Sequence, residues 1–372
     1  MDYKNILVTG GAGFIGSFLV DELIKKGYSV RIFDNLEEQV HQENIPSYLN
    51  KEAEFVNGDV RDYETFSKAL HGIDVVYHLA AAVGVAQSNY EFKKFSDVNV
   101  GGMANLLDIL TKKEHPVKKV ITNSSMTGLG EGNYECEKCG VVRPPLREED
   151  QLSRKDWEPK CPNCKGEIKA VPTEEDAAEY PNSIYAITKK TQQDMLMLYG
   201  KTYNIPTVAL RGFNVYGPRQ SLSNPYTGVT AIFISRIKNN QPAVVYEDGM
   251  QTRDFVSVHD FVRALVLVLD NSKIKNEIIN IGSGHPTPIK EIAETLASHL
   301  GKKELVEVGE NFRKGDIRHC FSDIGKAKRV LGWEPEISLA DGFKELIEWS
   351  AGEKAEDHFE KATQELKKKG IL

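Results

Sequence analysis

Short apolar runs alternate with amphipathic stretches through the first half of the chain and return soon after its midpoint. The runs that fit buried parallel strands cover residues 6–8, 29–33, 53–57, 74–79, 120–122 and 207–210. Helical patterns separate them, including a long one from about residue 97 to 113. This alternation predicts an α/β fold with a doubly wound parallel sheet, whose ligands bind outside the carboxyl ends of the strands.

A glycine-rich turn joins the first predicted strand to the helix that follows it. Gly10, Gly13 and Gly16 allow backbone N–H groups to approach a pyrophosphate at the positive end of that helix. The second strand ends at Asp34, 18 residues beyond Gly16, where a carboxylate can hold the ribose 2′-hydroxyl of a dinucleotide. An acid at this position favours NAD over NADP. The alternative is that Asp34 is only a turn residue before Asn35.

A second candidate site lies on a helix predicted to begin at Ile184 and to continue to about Tyr199. Tyr185 and Lys189 are four residues apart and share one face of this helix. A nearby cation favours the phenolate, so we expect the pKa of Tyr185 to fall from about 10 towards neutrality. The spacing alone also fits an exposed pair on a surface helix.

Length and charge restrict the class of protein. A chain of 372 residues exceeds what one hydrophobic core usually supports, which predicts two lobes. The net charge of −7, without a long basic block, argues against a nucleic-acid surface and favours a small-molecule substrate. No apolar run is long enough to span a membrane, and the N-terminus enters a strand without a signal peptide. We therefore expect a cytoplasmic protein with reduced or metal-bound cysteines.

Four of the five cysteines form two pairs, Cys136-x-x-Cys139 and Cys161-x-x-Cys164, with 21 residues between the pairs. This spacing predicts a zinc ribbon with four thiolate ligands and therefore a structural Zn²⁺. A redox-active pair would need only one such motif, and two disulfides do not suit the expected compartment. We hypothesise that zinc folds this loop and that the loop covers one end of the active site.

Further polar residues lie where a cofactor would reach the sheet: Asp59 after the third strand, Asn99 near the start of the long helix, and Ser125 after the fifth strand. Together with the glycine turn, Asp34 and Tyr185-x-x-x-Lys189, they resemble the extended short-chain dehydrogenase/reductase family, in particular its NAD-dependent nucleotide-sugar epimerases and dehydratases. The resemblance implies a Rossmann domain that binds NAD through Gly10, Gly13, Phe14, Ile15, Gly16, Asp34, Asn35, Asp59, Val60, Leu79, Ala80, Ala82, Asn99, Tyr185 and Lys189.

The resemblance also implies catalytic roles for Ser125, Tyr185 and Lys189. Ser125 would hydrogen-bond the substrate hydroxyl, Tyr185 would be the acid and base, and Lys189 would lower the pKa of Tyr185 and bind the nicotinamide ribose. Ser125 and Tyr185 are 60 residues apart, whereas about two dozen residues separate them in relatives, so residues 131–172 are an insertion that carries the predicted zinc ribbon.

The second half resembles the substrate-binding part of the same family. The resemblance assigns the nucleotide-sugar substrate to Ser125, Asn214, Arg219, Arg253, Arg313 and Asp316. Two guanidinium groups can bind one diphosphate because their planar N–H donors match the phosphate oxygens. A single arginine, however, more often forms an ion pair at the surface. The predicted division is a Rossmann domain at 1–214 and 256–281 and a smaller substrate domain at 215–255 and 282–372. The resemblance further implies a homodimer.

The residues that follow Ser125 distinguish between the reactions of the family. Dehydratases of the family have an acid pair there, whereas this chain has Met126 and Thr127. What remains is oxidation of the sugar at C4 and return of hydride to the opposite face, a 4-epimerisation. The chain resembles the dTDP-L-rhamnose 4-epimerases, which interconvert dTDP-L-rhamnose and dTDP-6-deoxy-L-talose. UDP-glucose or UDP-N-acetylglucosamine 4-epimerisation is the alternative, and a non-catalytic NAD-binding regulator is the alternative outside enzymes.

Overall fold

The computed structural model of the protein describes residues 3–41, 45–271, 273–309 and 311–371. The strands in these ranges are β1 (Asn5–Thr9), β2 (Ser29–Asp34), β3 (Glu54–Asn57), β4 (Val75–His78), β5 (Lys119–Ser125), β6 (Asn133–Cys136), β7 (Gly140–Val142), β8 (Lys169–Val171), β9 (Thr207–Gly212), β10 (Asn214–Tyr216), β11 (Ala243–Val245), β12 (Thr252–Arg253), β13 (Phe255–Ser257), β14 (Glu277–Ile281), β15 (Thr287–Pro288), β16 (Val306–Val308) and β17 (His319–Cys320). The α-helices are α1 (Phe14–Lys25), α2 (Glu38–His41), α3 (Tyr63–Ala69), α4 (Val85–Ser88), α5 (Phe92–Phe95), α6 (Gly102–Lys112), α7 (Glu149–Ser153), α8 (Ile184–Tyr203), α9 (Val229–Lys238), α10 (Val258–Asp270), α11 (Ile289–His299), α12 (Gly325–Leu331), α13 (Leu339–Ala351) and α14 (Phe359–Lys368).

Seven parallel strands form the central sheet, in the order β14-β9-β5-β4-β1-β2-β3. The predicted doubly wound parallel sheet is therefore confirmed. Strand β5 continues three residues beyond its predicted end and brings Ser125 to the carboxyl edge of the sheet. The predicted long helix is divided, because a π-helical segment, Ser96–Gly101, leads into α6.

Both faces of the central sheet are covered by helices, as a parallel sheet requires. Helices α1 and α10 pack on one face through residues such as Leu19 and Leu265. Helices α3, α6 and α8 pack on the other face through residues such as Phe66, Leu106 and Leu196. The strand ends between these layers are therefore held rigidly.

A separate hydrophobic cluster belongs to the second half of the chain. Residues of α9, α11 and α13 form it, including Ile234, Ile292, Leu296, Phe343 and Leu346. The domain boundaries given above remain a prediction, and their outer limits at residues 1 and 372 lie outside the described residues.

The insertion between β5 and α8 contains a small antiparallel sheet in the order β7-β6-β8. Its core is limited to a few buried side chains, including Tyr134, Cys136, Val142 and Cys161. Within the described ranges, no helix combines the length and the apolar character that crossing a membrane requires.

Candidate active site

A cleft of about 390 Å³ lies along the carboxyl ends of the central strands. Of the residues predicted to bind the cofactor, those that line this cleft are Gly10, Gly13, Phe14, Ile15, Gly16, Asp34, Asn35, Asp59, Val60, Leu79, Ala80, Ala82, Tyr185 and Lys189. Residues distant in sequence thus meet at one edge of the sheet, which is where a parallel α/β sheet binds its ligands.

The glycine turn leaves room for a phosphate at the start of α1. Gly10 has φ +69°, and a Cβ there would lie 2.8 Å from the backbone nitrogen of Ala80. A Cβ on Gly16 would lie 2.1 Å from the carbonyl oxygen of Gly10. Gly13 caps α1, whose first turn carries no acidic residue to compete for its free N–H groups. These features fit the pyrophosphate of a dinucleotide.

Asp34 is held in a fixed orientation at the end of β2. One carboxylate oxygen accepts a hydrogen bond from the backbone N–H of Ala12 at 3.0 Å, and the other accepts one from Leu36 at 2.9 Å. Because the buried carboxylate still lines the cleft, it can accept a ribose hydroxyl and disfavours a 2′-phosphate.

Asp59 lies next to Asn35 on the same side of the cleft. Burial by itself raises the pKa of Asp59, but hydrogen bonds from Arg61 and Asn35 outweigh it, so the pKa of this carboxyl is lowered. Its oxygens are 2.6 and 2.9 Å from Arg61 nitrogens and 3.0 Å from the Asn35 amide. The carboxylate is therefore charged and fixed at neutral pH.

Helix α8, which carries Tyr185 and Lys189, is fixed at its N-terminus by several contacts. The Ser183 hydroxyl caps it by accepting a hydrogen bond from Ala186 N–H at 3.1 Å. The Tyr185 N–H donates to the Ser88 hydroxyl at 2.9 Å, and Phe95 packs edge-on against the Tyr185 ring. The phenol is thereby directed into the cleft beside Ser125.

Ser125 is arranged to donate its proton towards the cleft. Its oxygen accepts hydrogen bonds from Thr127, at 2.9 Å from the hydroxyl and 3.3 Å from the backbone N–H. Its own proton is then free for the Tyr185 oxygen, and this contact lowers the pKa of Tyr185. Sequence reasoning noted Thr127 only for lacking a carboxylate and missed this positioning role.

The prediction that Lys189 lowers the pKa of Tyr185 is wrong for the protein chain by itself. Burial raises the pKa of Tyr185 above 10.0, and the hydrogen bond from Ser125 offsets this only in part. Burial also lowers the pKa of Lys189 to about 7. The physical reason is that removal from water disfavours both charged forms, so a lysine that is itself desolvated is a weak source of positive charge.

Lys189 is nearly inaccessible, with 3% of its surface exposed. In the part of the chain that the structure describes, its ammonium group makes no hydrogen bond and no ion pair, although the residue lines the cleft. A buried cation without a partner is unusual. It fits a site where ribose hydroxyls of NAD would accept hydrogen bonds from Lys189.

Asn99 lies behind the cleft wall and is not among the residues that line it. Its side-chain amide bonds the backbone of Ala82 at 2.8 and 3.2 Å and the Thr188 hydroxyl at 3.0 Å. The structure therefore places it as a link between the end of β4 and helix α8. Its predicted contact with NAD stays a prediction.

The predicted substrate residues fall into two groups. Asn214 and Arg219 line the cleft with Ser125. Arg219 also binds Asp21 at 2.8 Å and stacks over Phe18, both on α1. This contact puts Arg219 on the cofactor side of the cleft. Asn214 has a buried side-chain oxygen with no partner among the described residues.

Arg253, Arg313 and Asp316 form the second group, which comes from the second half of the chain and lies outside the cleft lining. Arg253 binds the Asp316 carboxylate at 3.0 Å and also donates to backbone carbonyl groups. Arg313 stacks over the ring of Tyr246 at 4.4 Å, and its Nε is buried without a partner in the described residues. The predicted contacts of the two arginines with the substrate diphosphate, and of Asp316 with the nucleotide ribose, stay predictions.

The four cysteines of the insertion converge as predicted. Their sulfur atoms all lie within 4.8 Å of one another, and those of Cys136 and Cys164 are 3.6 Å apart. All are free thiols, so the disulfide alternative finds no support. Tetrahedral ligands at Zn–S distances of about 2.3 Å give similar separations. The donor set therefore fits Zn²⁺, while Cys320 is a buried core thiol.

Sequence reasoning missed three side-chain amides that line the cleft and bond to one another. Gln39 and Gln87 exchange two hydrogen bonds at 3.0 and 2.9 Å, and Gln39 also donates to Asn224 at 3.0 Å. All three residues line the cleft, but they come from separate parts of the chain. We call them the amide bridge. No local motif marks these positions.

Comparisons with known proteins agree with this geometry. Residues 6–148 match the NAD dependent epimerase/dehydratase family, and residues 164–346 match the GDP-mannose 4,6 dehydratase family. The chain is 36% identical to dTDP-L-rhamnose 4-epimerase of Burkholderia thailandensis, over 95% of this chain and 96% of that protein.

Solved structures are similar along nearly the whole chain. UDP-glucose 4-epimerase of Thermotoga maritima, solved with UDP-glucose, has a TM-score of 0.75 and 33% identity, covering 93% of this chain and 98% of that one. UDP-glucuronic acid 4-epimerase of Bacillus cereus, solved with UDP-glucuronic acid and NAD, has a TM-score of 0.75 and 30% identity, covering the same shares.

The chain belongs to the NAD-dependent epimerase/dehydratase family of the extended short-chain dehydrogenases/reductases. Its similarity is to nucleotide-sugar 4-epimerases, which are isomerases, so the predicted enzyme class is confirmed at the level of the family.

Proposed function

We propose that the protein catalyses NAD-dependent 4-epimerisation of a nucleotide sugar. The main support is the position of Ser125, Tyr185 and Lys189 at one end of a cleft that fits a dinucleotide. Lys189 has no partner there among the described residues. NAD, when bound, would accept hydride from the sugar C4 and return it.

The chain's own residues would move the proton. Tyr185 takes the 4-hydroxyl proton as the sugar is oxidised and returns it when the sugar is reduced. Ser125, whose oxygen is occupied by Thr127, donates its proton towards the reacting oxygen. Lys189 would hold the nicotinamide ribose through hydrogen bonds from its amino group.

The distribution of acids in the cleft favours epimerisation over water loss. Among the described residues that line it, the carboxylates are Asp34, Glu37 and Asp59, all from the adenosine end. Met126, where dehydratases of the family have an acid, is buried in a hydrophobic cluster. Dehydration at C5 and C6 would lack its general acid and base.

We further propose dTDP-L-rhamnose as the substrate and dTDP-6-deoxy-L-talose as the product. Support comes from the similarity to the Burkholderia thailandensis dTDP-L-rhamnose 4-epimerase along both chains. UDP-glucose or UDP-N-acetylglucosamine is the second candidate. Similarity to the Thermotoga maritima epimerase solved with UDP-glucose favours UDP-glucose of these two.

A panel assay tests the proposal. The purified protein, with and without added NAD, is incubated with dTDP-L-rhamnose, UDP-glucose and UDP-N-acetylglucosamine, and products are followed by NMR at C4. We expect the 4-epimer of dTDP-L-rhamnose. Conversion of a UDP-sugar but not of dTDP-L-rhamnose would support 4-epimerisation and identify the UDP-sugar as the substrate. Failure to convert any sugar, even with NAD, would contradict the enzymatic function and favour a non-catalytic NAD-binding protein.

A further inference from the structure

The insertion is too small to fold around its own apolar residues. Its hydrophobic cluster contains only Tyr134, Val142 and two of the cysteines as buried members. Sheets this short need a metal or a disulfide to be stable, and the described cysteines form no disulfide. A Zn²⁺ ion on the four thiolates would therefore hold β6 against residues 157–164.

The loop before the second cysteine pair reaches into the second lobe. Glu158, three residues before Cys161, accepts hydrogen bonds from the guanidinium of Arg318 at 2.6 and 2.9 Å. Its other oxygen lies 3.2 Å from the His319 ring. These contacts lower the pKa of Glu158 to about 2 although its partial burial opposes this, so the carboxylate is charged at neutral pH.

A buried group of charges joins the same loop to the second lobe. Arg147 binds Glu247 through two hydrogen bonds at 2.8 and 2.9 Å and also binds the carbonyl of Trp157 at 2.9 Å. Arg318 shares the Glu247 carboxylate at 2.8 Å. The three charged side chains are at most 4% exposed, so removal of a partner would leave an uncompensated buried charge.

This group adjoins Arg253 and Asp316, which are predicted to bind the nucleotide part of the substrate. Arg147 donates to the carbonyl of Asp316 at 3.1 Å, and Arg253 donates to the carbonyl of Arg318 at 3.0 Å. Arg253 in turn holds the Asp316 carboxylate. The positions of Arg253 and Asp316 therefore depend on residues 316–318, which form hydrogen bonds with side chains of the insertion.

We propose that zinc bound by Cys136, Cys139, Cys161 and Cys164 braces residues 313–319, so that zinc occupancy sets the affinity of the second lobe for the nucleoside diphosphate part of the substrate. This inference rests on the proposed function, because it takes a nucleotide sugar as the ligand. The inference distinguishes NAD binding from nucleotide-sugar binding. Among the described residues, none of 313–319 lines the cleft that fits NAD, whereas Arg313 and Asp316 are predicted to bind the nucleotide sugar.

The test measures binding instead of turnover. Zinc content is determined by elemental analysis, and the affinities for UDP, dTDP and NAD are measured by titration calorimetry before and after chelation. We expect about one zinc per chain. After chelation we expect nucleoside diphosphate affinity to fall by about tenfold or more, the effect of losing a charge-assisted hydrogen bond. NAD affinity should change less than about twofold on the same scale.

A matched pair of variants keeps the test decisive if chelation unfolds the protein. Glu158→Gln leaves all cysteines in place and should weaken nucleoside diphosphate binding by about three- to tenfold at full zinc content. Glu149→Gln is the control, because Glu149 forms an exposed ion pair with Lys314 in the same interface and should have almost no effect.

Absence of zinc from the purified protein would overturn the inference. Nucleoside diphosphate affinity that stays unchanged after chelation of a protein that remains folded would also overturn it. If chelation unfolds the protein, unchanged affinity in the Glu158→Gln variant would do so. A zinc-loaded wild type that binds neither UDP nor dTDP would instead contradict the proposed function itself.

Discussion

At the scale of single residues, the site depends on charges that the protein holds out of water. Lys189 has no partner among the described residues and is nearly inaccessible, which lowers its pKa from 10.5 to about 7. The buried ammonium is therefore a cost to stability below pH 7, and the cost disappears as the pH rises through the window from about 7 to 10.5. Such a cost is typical of residues kept for function.

Replacement of Lys189 by Met should therefore stabilise the nucleotide-free protein while removing its activity. We expect a gain on the order of 2–4 kcal/mol in the free energy of unfolding at pH 6. The gain should shrink as the pH is raised towards 10, because the wild-type lysine then loses its proton. Urea unfolding at both pH values measures this difference.

Lys190→Met is the control, since the neighbouring Lys190 is paired with Asp194 and Glu179 at the surface. It should not produce a gain at pH 6. An equal effect of Lys189→Met at both pH values, or a loss of stability at pH 6, would contradict the burial argument.

At the scale of elements, the turn between β1 and α1 sets the cofactor end of the cleft. Gly16 is in the first helical turn of α1, and its α-carbon faces the glycine-rich loop that precedes the helix. The nearest atoms to a Cβ at this position belong to the backbone of Gly10 and Gly11, which cannot rotate away as a side chain could. The close packing of helix on strand therefore requires glycine here.

Gly16→Ala should displace α1 from the turn and weaken NAD binding by more than about tenfold, because the phosphate site is built from this turn. Gly101→Ala is the matched control, since the nearest atom to a Cβ at that helical glycine is 3.8 Å away. NAD affinity of both variants can be measured by calorimetry. Unchanged affinity in Gly16→Ala would mean that NAD does not contact this turn.

At the scale of the whole molecule, sequence periodicity was a good guide to the central sheet and a poor guide to what surrounds the cleft. Buried parallel strands are continuous apolar runs, so β1 to β5 and β9 could be recognised locally. The amide bridge could not, because Gln39, Gln87 and Asn224 are far apart in sequence and are brought together only by the fold. Contacts between residues far apart in sequence leave no local pattern.

The same distinction explains the two surprises in the site. The pKa of Tyr185 depends on how far Tyr185 and Lys189 are buried, which the i, i+4 spacing does not reveal. The cysteine spacing predicted the cluster of four thiols, but not that Glu158 and Arg147 would tie this cluster to the second lobe. A spacing rule describes a local motif and says nothing of the surface on which the motif docks.

In the proposed reaction, the hydrogen removed from the sugar C4 returns to the same carbon on its opposite face. The most direct test uses a nucleotide sugar from the panel that carries deuterium at C4, incubated with the protein in ordinary water. Mass spectrometry and NMR then show whether the label remains in the epimer. We expect the epimer to keep its deuterium at C4, with Tyr185→Phe forming no epimer. An epimer in which hydrogen from water has replaced the deuterium would contradict the mechanism.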